Sequence, residues 1–96
     1  MLLRKYIGET LLKERTKQER TLRDVSAQAT VSLGYLSELE RGLKEASSEV
    51  LNSICEALVM SPVDLLIDVT ASMSQDLGRE LDNELDSINH KEPINI

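Results

Sequence analysis

Residues 32–41, SLGYLSELER, carry the side chains best placed to read another molecule. On a helix advancing about 100° per residue, Leu36 and Leu39 point one way, while Gly34, Ser37, Glu38 and Arg41 gather on the opposite side. Leu33 and Tyr35 flank that outward face. Its side chains are small and polar, which suits the major groove of B-DNA: the helix backbone can approach base edges while aliphatics anchor its inner side. A carboxylate there is repelled by phosphates but accepts a hydrogen bond from cytosine N4, so Glu38 is a candidate reader of a C·G pair, or else a solvated glutamate beside the groove. Leu33 is either an apolar contact for a thymine methyl or a buried edge residue.

Catalysis finds no comparable set. His90 is the only histidine and Cys55 the only cysteine, so no Ser/His/Asp or Cys/His arrangement assembles and no Cys/His group can hold zinc. Ser37/Glu38 and Asp64/Asp68 are ordinary neighbours on helix faces. The expectation is a binding protein with no cofactor and no metal, and not an enzyme.

Helices must position the reading face. Leu3, Ile7, Leu11 and Leu12 recur at helical spacing, which predicts a first helix from Leu3 to about Arg15. Thr21 caps a short second helix, LRDVSAQA, with Asp24 completing a capping box and Leu22, Val25 and Ala29 on its buried side. Ser32 caps the third, in which Leu36, Leu39 and Leu43 share a narrow arc, and Gly42 suits its left-handed end. Ser47 caps the fourth, whose stripe of Val50, Leu51, Ile54, Cys55 and Leu58 makes Cys55 a core residue. Ser61, Pro62 and Asp64 open a fifth, expected to turn Val63, Leu66 and Ile67 inward. No strand alternation, phosphate-binding glycine loop or internal repeat interrupts this all-α reading.

Charge is divided along the chain. Residues 1–44 hold nine Lys/Arg against six Asp/Glu, whereas residues 45–96 hold two against eleven, within a net charge of −6. The basic half supplies attraction to phosphates, and the acidic half is expected to face away. No run approaches the ~20 apolar residues of a membrane span, and the N-terminus lacks a signal-peptide core, so a soluble cytoplasmic protein with no membrane partner is expected.

TLRDVSAQATVSLGYLSELERG, followed by SSEVLNSICEALVMSPVDLL, resembles the Cro/C1-type (XRE) helix-turn-helix regulators over roughly residues 4–67. More locally, GYLSELERG-x-KE-x-SSE-x-L, Gly34 to Leu51, is similar to the actinobacterial ClgR-type regulators of Clp protease genes. The resemblance implies a compact five-helix bundle with the third helix as recognition helix, and transcriptional activation of Clp protease genes. It implies base-reading positions at Leu33, Gly34, Ser37 and Glu38, and phosphate-binding positions at Thr21, Arg23, Ser32, Tyr35, Arg41 and Lys44. It also implies a structural ion pair between Arg15 and Glu40. Implied partners are double-stranded DNA carrying a palindromic operator, a second copy of the chain, and RNA polymerase. Glu19 and Arg20 depart from the family's Gly and aliphatic at the first connection, and Ser48 and Met60 replace its common apolar and Gly choices. The rival reading is an antitoxin-like or adaptor module that keeps the bundle but binds another polypeptide.

The final stretch is read as a separate object. Met73, Leu77, Leu81, Leu85 and Ile88 form an apolar stripe, weakened by Gly78 and interrupted by Glu84. Such a helix is marginal alone and must dock, either back on its own domain or against its twin; pairing of twins is the preferred expectation. The organisation expected is therefore a DNA-binding bundle over 1–69, a C-terminal dimerisation helix over 70–89 and a disordered tail over 90–96.

Overall fold

The computed structural model describes residues 2–90, and the side chains of residues 2–86. Five helices follow in order: α1 Leu3–Lys17, α2 Leu22–Ala29, α3 Leu33–Glu40, α4 Ser48–Ala57 and α5 Pro62–His90. No strand occurs among the described residues. The fold is the all-α bundle that the sequence suggests.

Local hydrogen bonding fixes the starts of α2 to α5. Hydroxyl oxygens of Thr21, Ser32, Ser47 and Ser61 accept from the amides of Asp24, Tyr35, Val50 and Asp64, at 3.0, 3.1, 3.2 and 3.0 Å. Asp64 returns the bond by accepting from the Ser61 amide at 3.3 Å, which closes a capping box. The box expected at Thr21 is only half formed, because the Asp24 carboxylate turns instead to Arg20 Nε at 2.8 Å. Left-handed backbone ends three segments at non-glycine residues: Glu19, Thr30 and Val59, with φ of 54°, 57° and 54°. Glu19 stands where the family's Gly was expected, but at the connection between α4 and α5 the left-handed residue is Val59 and not Met60.

Tyr6, Leu11, Val25, Leu36, Leu39, Ile54, Cys55, Leu58, Leu65 and Val69 form the interior. Cys55 is buried, and burial pushes its thiol pKa up, which makes it a packing residue and a poor nucleophile. α1 lies against α3 and α5, and α2 lies against α3 and α4.

Three further expectations change. Leu43 falls beyond α3 and is exposed, because the chain turns at Gly42. On α5 the inward side is Leu65 and Val69, with Val63, Leu66 and Ile67 turned to solvent. Both sides of that helix begin apolar, and the packing of α1 and α4 selects one of them. Finally, no break separates a fifth helix from a C-terminal one: α5 runs through residue 70 to His90, so His90 belongs to the helix. Residues 91–96 of the expected tail lie outside the described residues, as does the side chain of Ile88. The long helix draws the molecule out to 64 Å along one axis against 25 and 23 Å along the others.

Candidate nucleic-acid interface

α2 and α3 meet through a turn that holds itself. Thr30 takes the left-handed conformation at the end of α2, and the Ser26 hydroxyl donates to the Val31 carbonyl at 2.6 Å. α3 then starts at the Ser32 cap with Leu36 and Leu39 in the core.

The far end of α3 is clamped onto α1. Gly8 is buried, and a Cβ there would stand 2.2 Å from the Leu39 carbonyl oxygen, so only glycine lets the two backbones approach this closely. Gly42 has φ of 73°, and a Cβ on it would meet the Lys5 Cα at 3.1 Å. Arg4 Nε donates to the Gly42 carbonyl at 3.2 Å. Arg15 grips Glu40 with two parallel bonds, Nε to Oε2 at 2.7 Å and Nη2 to Oε1 at 3.0 Å, and donates from Nη1 to the Arg20 carbonyl at 2.9 Å. Glu40 is buried, and its carboxylate raises the Arg15 pKa further above the ordinary arginine value. Of the two glutamates on α3, this one is structural.

What remains outside is the face read from the sequence. Leu33 and Gly34 are exposed, Ser37 and Glu38 are half-buried, and nothing lies within 4 Å of a Cβ built on Gly34. Leu33, at 38% exposure, is not a buried edge residue. Ser32, Gly34, Tyr35, Glu38 and Lys44 line one shallow open concavity. Lys44 Nζ approaches Glu38 Oε2 to 3.8 Å, which joins a candidate phosphate anchor to a candidate base reader. The Tyr35 hydroxyl donates to the Glu45 carbonyl at 2.9 Å, bracing the loop after α3 and leaving its oxygen able to accept only. A phosphate therefore meets Tyr35 only if that bond gives way. Thr21 and Ser32 spend hydroxyl lone pairs on caps but keep their protons to donate. Arg23 and Arg41 are exposed, on α2 and at the end of α3.

Gly8, Arg4 and Tyr6 escape the sequence reading. A glycine inside LRKYIGETL, which weakens a helix interior, was the available signal for Gly8. Among the described residues no group of His, Cys, Asp and Glu is arranged to hold a metal ion.

A capped α2, a locked turn and an exposed α3 rigidly held from behind define the class: residues 11–65 match the helix-turn-helix family model, and the chain belongs to that family, in its Cro/C1 (XRE) branch. It is 51% identical over 74 residues to the transcriptional regulator ClgR of Mycobacterium tuberculosis, a match covering 77% of this chain. The match spans 66% of that relative's length. The crystal structure of the clp gene regulator ClgR from Corynebacterium glutamicum superposes with a TM-score of 0.85 at 42% identity, covering 94% of this chain and 96% of that one. The restriction-modification controller protein C.Esp1396I, solved as a tetramer with its natural 35 base-pair operator, shares the fold at 20% identity, with a TM-score of 0.69 over 74% of this chain and 93% of its own.

Proposed function

We propose that this protein is a sequence-specific DNA-binding transcriptional regulator acting in the cytoplasm, which binds a palindromic operator as a two-fold homodimer with one α3 in each of two major-groove segments. Its genes would be those of Clp proteases, as the likeness to ClgR suggests, and its sense of regulation activation, which makes RNA polymerase a further partner. The reading rests above all on α3, whose inner face is fixed by Gly8, Gly42 and the Arg15–Glu40 pair while Gly34 leaves its outer face open. Leu33, Gly34, Ser37 and Glu38 meet base edges; Thr21, Arg23, Ser32, Tyr35, Arg41 and Lys44 meet phosphates.

The second protomer is inferred from α5. Val63, Leu66, Ile67, Leu77, Leu81 and Leu85 are all exposed. At about 100° and 1.5 Å per residue they fall within an arc of about 100° and run for roughly 33 Å. They form one seam on a different side of the helix from Leu65 and Val69. Exposed apolar surface of that extent calls for a partner. Met73, partly buried against its own core, stands at the border of the seam.

The two contact classes separate by experiment. Arg23→Ala, Arg41→Ala or Lys44→Ala weakens binding to every duplex alike and lowers the salt slope by about one per lost phosphate contact in each half-site. Glu38→Ala changes the consensus returned by binding-site selection. The same consensus from the Glu38 variant and the parent would remove Glu38 from the base-reading set.

A further inference from the structure

α5 has two halves with different support. Up to Met73 it is held by packing of Leu65, Val69 and Met73 on the bundle, whereas from Arg79 to Asp86 every side chain is exposed. Between them sits one polar tie. The Tyr6 hydroxyl, on a side chain only 4% exposed, donates to Asp76 Oδ2 at 2.7 Å. Arg79 Nη2 donates to the other carboxylate oxygen at 2.9 Å, so both oxygens are fixed. Among the described residues, and apart from the cap at Ser61, Tyr6–Asp76 is the only side-chain hydrogen bond between α5 and the rest of the protein. Two residues later comes Gly78, with nothing within 4 Å of a Cβ built there, where the helix bends most easily.

The other end of this tie reaches α3. Tyr6 lies between Lys5, whose Cα abuts Gly42, and Gly8, whose Cα lies against the Leu39 carbonyl. The stretch of α1 that clamps the recognition helix thus also grips α5 where its packing ends.

We infer that Tyr6 and Asp76 are positioning residues for operator recognition: their hydrogen bond sets the angle between the bundle and the α5 seam, and through it the half-site spacing that the dimer accepts. This rests on the dimer reading above. Two recognition helices one DNA turn apart lie about 34 Å from each other, or about 17 Å from the two-fold axis. At that radius a rotation of about 10° moves a recognition helix by about 3 Å, close to the base-pair rise of about 3.4 Å. An angle left free by a few degrees therefore blurs discrimination between spacings one base pair apart. The tie holds over the whole neutral range, since the Tyr6 hydroxyl pKa is pushed up to about 12 by Asp76.

The test uses the full chain and duplexes built from the half-site that binding-site selection returns for it, with spacings from two base pairs shorter to two longer than the selected one. The parent prefers one spacing. Tyr6→Phe, which removes the hydroxyl and keeps the ring, lowers the thermal midpoint by about 5 °C through the lost bond but leaves the helical fold, single-half-site affinity and sedimentation unchanged. It reduces the preference over spacings one base pair away about tenfold, the change expected on losing a hydrogen bond to a charged acceptor. Asp76→Asn, whose side-chain oxygen still accepts, retains the parent profile. A Tyr6→Phe protein with the parent's spacing profile, with an equal loss at all spacings, or with a dissociated dimer overturns the assignment. A parent that sediments as a monomer and shows no spacing preference overturns the dimer reading, and the assignment with it.

Discussion

α3 and α5 both turn a face to solvent, but they are supported in opposite ways. α3 has only eight residues, too few to be stable alone, and both its ends are fastened: Ser32 caps one, while Gly8, Gly42 and the Arg15–Glu40 pair hold the other. α5 has 29 residues, and among the described residues its second half gains no hydrophobic packing from its own chain after Met73, only the tie at Asp76. A helix that reads base edges must be pre-organised, because freedom in the free protein is lost again on binding. A helix that waits for a partner can leave its apolar seam open, and contact with the proposed second copy would complete it.

Breaking the fastenings of α3 should have the largest effect. Arg15→Ala leaves the Glu40 carboxylate buried and alone, costing about 3–5 kcal/mol in denaturant unfolding and lowering DNA affinity only through lost fold. Gly8→Ala forces α1 and α3 apart at the Leu39 carbonyl, for about 2–3 kcal/mol. Leu81→Asp puts a charge into the proposed seam and should weaken dimerisation by about 3 kcal/mol, over a hundredfold by sedimentation, while the monomer's far-ultraviolet circular dichroism stays that of a helical bundle.

Two smaller changes sharpen the contrast. Val59 is 87% exposed and β-branched in the left-handed region, so Val59→Gly should stabilise the bundle by roughly 0.5–1 kcal/mol without touching DNA binding. The Tyr6–Asp76 tie should show in alkali. The Tyr6 pKa lies at about 12 when folded, raised first by the hydrogen bond to Asp76, against about 10 when unfolded. Because the folded value is the higher, the stability it contributes is complete below about pH 10 and is lost as pH rises through about 12. The difference in stability between the parent and Tyr6→Phe should therefore be constant up to about pH 9 and shrink in stronger alkali.

The same contrast explains what could be read from the sequence. Thr21, Ser32, Ser47 and Ser61 announce their helices because a cap is made within four residues, so the starts of α2 to α5 were legible, as was the outward face of α3. The inward side of α5 was not. In VDLLIDV apolar residues occupy both sides of the helix, and periodicity has nothing to choose between them. Only the docking of α1 and α4 picks Leu65 and Val69. Glycine at position 8 and tyrosine at position 6 act across 31 and 70 residues of chain separation, on Leu39 and on Asp76, which no local pattern encodes.

Binding-site selection from randomised duplexes with the 96-residue chain, sequenced after several rounds, tests whether α3 reads a palindromic operator. The expected result is an enriched palindrome whose half-sites lie about one DNA turn apart, with a C·G pair among the positions lost from the consensus of the Glu38→Ala variant. A pool that remains random after selection, or that enriches only single unpaired sites, would contradict it.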